Sequence, residues 1–417
     1  MLVFNDFKTK TFKYFLISIP FLHAFAINTW LPLPLLVSII CFFIICFKNK
    51  FVVSFRKEDT LLLVTYFIGV FMNIFYSDQI GSKNFTHIIA WSVSLFFFYF
   101  WTSSWIKMTK LSFYSLGRFS TYALIIVSIG VLFDFLLANI YGLYLSDIVP
   151  YSFDEMDQTQ SLDGLLLRPR GLSAEPGFTA VIFEMFLPLS YLYLENFKKR
   201  KYFIYLFSII CYLLLTSAAS IVSILASYIL IQIIFSRKKI FFFKLFILSI
   251  IILFLVNFYS SFSSDFDIFK YVIGEKVDRF LIGDDIRAKI FKSLFSIWES
   301  NPLGIGFGTI SQSFQIGNKT ISSVSLYGAG ALNLYLEILV SSGIIGFLSF
   351  IFFIFLKIKK VLQFNDTAVN KTLLFALFSV CNHHLFISET WFPMIWVLLA
   401  LTNNIKTLTR NHNCSAF

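Results

Sequence analysis

Two polar clusters interrupt an otherwise apolar chain, and both carry side chains suited to holding an anion. The first is Leu167-Arg168-Pro169-Arg170-Gly171-Leu172-Ser173-Ala174-Glu175-Pro176-Gly177, at the mouth of an apolar run. Guanidinium binds phosphate through bidentate, charge-assisted hydrogen bonds. Arg168 and Arg170 therefore suit a pyrophosphate at a membrane surface. The structural alternatives are a salt bridge to the upstream acids Asp147, Asp154, Glu155, Asp157 and Asp163, or contact with lipid headgroups. Glu175 precedes Pro176, which favours the first turn of a helix. Its carboxylate can orient an arginine, act as a base or cap the helix.

The second cluster begins at Asp284-Asp285, either of which can cap a helix. Stepping about 100° per residue from Ile286 gathers Ile290, Phe291, Leu294 and Trp298 on one side. Lys289, Lys292, Ser296 and Glu299 fall opposite, but Arg287 falls in the middle of the apolar arc. A buried guanidinium must be paired, so Arg287 calls for an internal carboxylate or an anionic ligand. Asn301-Pro302-Leu303-Gly304-Ile305-Gly306-Phe307-Gly308 follows. Glycine allows close backbone approach and open N–H groups, which makes Gly304 and Gly306 candidates for binding substrate, with a plain turn as the alternative. Asn333 and Glu337 are spaced i, i+4, so the pattern predicts that they share a helix face near the outer surface.

An ionisable side chain inside a membrane span is a functional candidate. Glu337 qualifies, as do Asp134 and Glu184, either of which can pair within a bundle. His383 and His384 are adjacent, point to different helix faces and cannot form the i, i+4 pair of a helical zinc site; they read as packing residues. Asp265-Phe266-Asp267 has a metal-like spacing but stands mid-loop and reads as solvated, and the five cysteines show no ligand spacing. No metal and no cofactor is expected.

The elements that hold these clusters follow from composition. A soluble domain carries about 25% charged residues, whereas this chain has 14% charged against 58% hydrophobic. Apolar runs of roughly 17–25 residues recur along its length, as spanning helices require. The pattern predicts an all-α integral membrane protein, residues 1–417 forming a single polytopic domain of about twelve spans, from a first run at 14–30 to a last at 390–404. The net charge of +11 then reports topology rather than nucleic acid. With both termini in the cytoplasm, the short loops on that side are all basic. Runs 202–216 and 218–235 must be two spans, since one would place Lys238 and Lys239 outside. Two long loops remain on the outer face, 141–173 and 259–330, the latter with an amphipathic helix at about 285–300. There is no inner domain for a nucleotide and no phosphate loop of the ATPase type.

Taken in order, Arg168-Pro169-Arg170-Gly171 with Glu175-Pro176, Arg287 with Trp298, Asn301 to Gly308, Asn333-Leu334-Tyr335-Leu336-Glu337 and Gly343-Ile344-Ile345-Gly346 resemble the O-antigen polymerase and ligase superfamily of membrane glycosyltransferases. The resemblance implies a C-type glycosyltransferase-like enzyme of the bacterial inner membrane. Its donor would be an undecaprenyl-pyrophosphate-linked glycan at the periplasmic face, with the bilayer and a polysaccharide chain-length regulator as further partners. The catalytic set would be Arg170, Arg287, Glu175 and Glu337, with Arg168, Asn333, Gly304 and Gly306 binding substrate. Ligases of this kind carry a histidine before the asparagine of the last motif and an arginine after the Thr216-Ser217 region. Here Leu332 and Ala218-Ala219 stand there. The resemblance therefore favours a polymerase building O-antigen or a related surface polysaccharide. A ligase and a lipid-linked oligosaccharide flippase are the alternatives. Transporters favour inverted repeats and broken helices, and neither is visible in the sequence.

Overall fold

The computed structural model describes residues 2–26, 31–48, 53–75, 82–109, 111–151, 161–162, 166–235, 286–310, 333–388 and 392–408. Outside them lie the run 240–258, the acids from Asp154 to Asp163, Asp265 to Asp267, Asp284, Asp285, Leu332 and most of 259–330. The described chain is helical apart from one short antiparallel pair, β1 (Ser161–Leu162) and β2 (Leu166–Leu167).

The N-terminal helices are α1 (Leu2–Ser18), α2 (Leu33–Lys48) and α3 (Asp59–Phe75). The first helix thus starts well before the expected run at 14–30. Pro20 explains why the helix ends at Ser18 rather than near residue 30: proline lacks an N–H and disfavours helical geometry in the residue before it. Next come α4 (Ser82–Val93), a π-helical stretch (Ser94–Trp101) and α5 (Thr102–Thr109), running on from one another. Then follow α6 (Phe113–Leu136), α7 (Pro176–Leu194), α8 (Lys198–Leu214) and α9 (Ala218–Phe235). The last four are α10 (Ile286–Ser300), α11 (Leu334–Leu362), α12 (Thr367–His383) and α13 (Pro393–Asn403).

Among the described residues, four helical stretches are long and apolar enough to cross a membrane: Phe85–Thr109, Phe113–Tyr141, Pro176–Leu194 and Leu334–Leu362. Four further apolar helices are shorter. This is an all-α membrane protein. Small residues let its helices approach closely, as in lipid-embedded bundles. A Cβ on Gly117 of α6 would lie 2.5 Å from the Tyr193 nitrogen of α7. The aromatic core joins α1 to α5, with Phe12 and Trp105 edge to face at 5.3 Å.

α11 is not continuous. Gly343 has φ 64° and ψ −174°, which breaks the helix inside its apolar length. The sequence reading foresaw no broken helix. Backbone groups freed within a membrane must find partners in the protein, and residues 302–306 supply them. Ile305 N–H donates to Val340 O and Gly306 N–H to Ser341 O, both at 2.9 Å, while Ile344 N–H donates to Pro302 O at 3.0 Å.

Candidate active site

The Arg168–Gly177 motif is held by side chains of α6 and of the short π-helix Leu137–Tyr141 that continues it. The Asn139 amide clamps the Leu167 backbone, donating to its carbonyl at 3.0 Å and accepting from its N–H at 2.7 Å. Asp134, buried one turn earlier, accepts three backbone N–H bonds: Leu145 at 2.8 Å on Oδ1, then Arg170 at 2.6 Å and Gly171 at 2.9 Å on Oδ2. Its carboxylate therefore shapes the outer turn rather than facing a ligand. Thr179 donates to the Arg170 carbonyl, and the Tyr151 hydroxyl donates to Gly171 O at 2.5 Å. Burial, and secondarily Asp134, push the Tyr151 hydroxyl well above its usual range, which keeps it a donor.

The two arginines do different work. Arg168 Nε donates to Leu215 O at 2.6 Å. That carbonyl ends α8, where the helix dipole favours a cation. Arg170 is only 5% exposed, and its guanidinium lies 4.8 Å from the Tyr144 ring centroid, a cation–π seat that fixes its height. Glu175 is exposed and stands at the N-cap of α7, yet its side chain makes no capping hydrogen bond. Its carbonyl accepts from Phe178 and Thr179.

The second cluster docks against the break in α11. α10 buries Ile290 and Leu294 with Ile305, Ile310, Leu336 and Val340. Arg287 lies one turn before Ile290; its side chain is outside the described residues. Gly304 and Gly306, with φ of 95° and 92°, sit where a Cβ would come 2.6 Å from Ser341 O and 2.7 Å from Asn73. Their N–H groups, expected to face a ligand, donate to Asn301 O and Ser341 O. Phe307 anchors the segment, stacking on Trp91 at 4.6 Å and covering Gly69.

Asn333 does not share a helix face with Glu337, contrary to the i, i+4 expectation. It is extended, at φ −158°, and caps α11 by accepting from Leu336 N–H at 3.0 Å. Asparagine competes for backbone hydrogen bonds and so prefers this position. Glu337 is buried in the first turn of α11.

The end of α12 joins these pieces. Leu334 N–H donates to His384 O at 2.9 Å and to Ile387 O at 3.0 Å, and the Tyr335 hydroxyl donates to Cys381 O at 2.9 Å. On the other side, His383 Nδ1 meets Glu184 Oε1 of α7 at 2.8 Å. The structure therefore brings the start of α7, after Arg168–Glu175, to the same end of the bundle as the start of α11, after Asn333. Sequence reasoning missed the role of His383 because it rejected the two histidines as a metal pair and then read them as packing residues. The available signal was an apolar-run histidine together with an apolar-run carboxylate, Glu184, each needing a partner.

Residues 203–351 match a family described as O-antigen ligase. The match supports membership of the O-antigen polymerase and ligase superfamily. It takes in α9, α10, the glycine segment, Asn333 and Glu337, and begins after the arginine motif. A search of curated proteins finds no match to the chain. The match over this part of the chain is consistent with a glycosyl-transfer role in surface glycan biosynthesis for a membrane protein, with lipid-linked glycan and bilayer as partners.

Proposed function

We propose that this protein polymerises undecaprenyl-pyrophosphate-linked oligosaccharide repeats at the periplasmic face of the inner membrane. The observation that supports the reading is the meeting of α7, which follows the Arg168–Glu175 motif, and α11, which opens at Asn333, across the end of α12. The site would lie between loops 141–173 and 259–330, with both termini cytoplasmic. A hydroxyl of the incoming repeat attacks the anomeric carbon of the growing chain. The bond to the lipid pyrophosphate breaks, and that group leaves with the electron pair, so no ATP is needed. Arg170 and Arg287 stabilise the charge developing on it. Arg170 is preset for this by Asp134 beneath its backbone and Tyr144 beneath its guanidinium.

Leu332 and Ala218-Ala219, in place of the ligase histidine and arginine, favour a polymerase. The broken α11 favours the flippase alternative, since transporters use such breaks; here the break is filled by the protein's own residues 302–306. Deleting the gene and running the surface polysaccharide on a gel separates the readings. Core bearing a single repeat is expected. Loss of every repeat points to a ligase or flippase, and an unchanged ladder refutes the proposal. Arg170→Ala, with the protein still in the membrane, should also abolish the ladder.

A further inference from the structure

α12 ends on a histidine that the arginine motifs do not use. His383 is completely buried and Glu184 is 2% exposed. Glu184 Oε1 meets His383 Nδ1 at 2.8 Å and accepts from the Tyr212 hydroxyl at 3.1 Å, so one carboxylate oxygen ties α7, α8 and α12. Among the described residues, the remaining atoms of the pair, His383 Nε2 and Glu184 Oε2, have no hydrogen-bond partner. An unpaired buried polar atom costs about 1–3 kcal/mol.

The direction of Nε2 indicates its use. Gly177 and Glu184 are seven residues apart and share a face of α7. The His383 ring spans that face: Nδ1 is on Glu184, and a Cβ built on Gly177 would meet Nε2 at 3.9 Å. Gly177 is in the first turn of α7, whose N–H groups have no intrahelical acceptor. That turn directly follows Arg168–Glu175. The neighbouring His384 carbonyl holds the start of α11. Nε2 is therefore aimed at the point where both motifs converge.

We propose that His383 Nε2 accepts the proton of the attacking sugar hydroxyl, with Glu184 as its positioning residue; this rests on the transferase reading above. A carboxylate on Nδ1 keeps the ring proton there and leaves the lone pair on Nε2. As the hydroxyl oxygen bonds to the anomeric carbon, its proton passes to Nε2. The carbon–oxygen bond to the pyrophosphate breaks, and that oxygen keeps the electron pair. Glu184 stabilises the imidazolium until it returns the proton to water.

The test uses the full chain in proteoliposomes with a synthetic polyprenyl-pyrophosphate glycan as donor and acceptor. His383→Gln is expected to lower kcat about 10²–10⁴-fold, with KM for the lipid within about threefold of wild type. Glu184→Gln should lower kcat as well, because its amide can donate to Nδ1 and move the ring proton to Nε2. A kcat within about threefold of wild type in His383→Gln overturns the inference and leaves the transferase reading standing. A wild-type protein that makes no polymer overturns the transferase reading itself. If His383→Gln is not recovered in the membrane, Gly177→Leu decides the matter. It leaves the pair in place and fills the space before Nε2, so a large fall in kcat supports the inference and an unchanged kcat overturns it.

Discussion

Asp59 and Glu184 are both carboxylates sunk into the bundle beside a basic side chain, but their surroundings differ atom by atom. Asp59 Oδ1 accepts from Lys357 Nζ at 2.9 Å and from the Tyr99 hydroxyl, and Oδ2 accepts from Arg56 N–H at 2.8 Å. Lys357 also donates to Asn403, whose amide donates to Tyr99 at 2.8 Å. Every described oxygen of that carboxylate is used, and the network locks α3, α11, α13 and the π-helical stretch together. The Glu184–His383 pair, among the described residues, leaves one atom on each partner without a bond. A saturated buried ion pair holds structure; an unsaturated one keeps capacity for a proton or a ligand. Burial of a charge is therefore a poor guide to function until its bonds are counted.

Breaking the saturated network should have the largest effect on folding. Lys357→Met leaves the Asp59 carboxylate uncompensated, a loss of about 3–5 kcal/mol. Thermal unfolding in detergent should fall sharply, with recovery when Asp59→Leu is added. A single variant that melts like wild type would show that the network is no lock. Gly343→Ala comes next. Its φ of 64° and a Cβ only 2.3 Å from the Leu303 carbonyl carbon force the glycine segment away from α11, at a cost on the order of 1–3 kcal/mol. Faster proteolysis within 301–308 should report the separation.

Asp134→Asn probes the arginine motif. Asparagine has one acceptor oxygen for three N–H donors, so about 1–3 kcal/mol is lost. Transfer should weaken, through a raised KM for the lipid, before the melting point moves far. Smallest for stability is His383→Gln, which keeps a donor for Glu184 Oε1 and should shift unfolding by about 1 kcal/mol or less. A melting shift as large as that of Lys357→Met would mean the two clusters are alike, contrary to the comparison.

Much of the architecture was legible because it depends on composition and short-range pattern. The apolar runs and sparse charge announce membrane helices, and Glu175-Pro176 marks the start of α7. The end of α1 was misread because Pro20 was counted inside an apolar run. The roles of Gly304 and Gly306 were harder to read: glycines with open N–H groups and glycines packed against a broken helix have the same sequence. Asn333 looked like a face residue because spacing alone does not say where a helix begins.

The sequence by itself determined the class of protein, the two arginine-bearing motifs and the superfamily they resemble, because hydropathy and motif spacing are local properties. Only the tertiary structure decided which polar groups are spent on the fold and which remain available. Asp134 lies 36 residues from the Arg170 it holds, and Glu184 lies 199 residues from His383. A buried polar group takes its character from whatever partner the fold brings within hydrogen-bonding distance, and no pattern along the chain encodes that meeting.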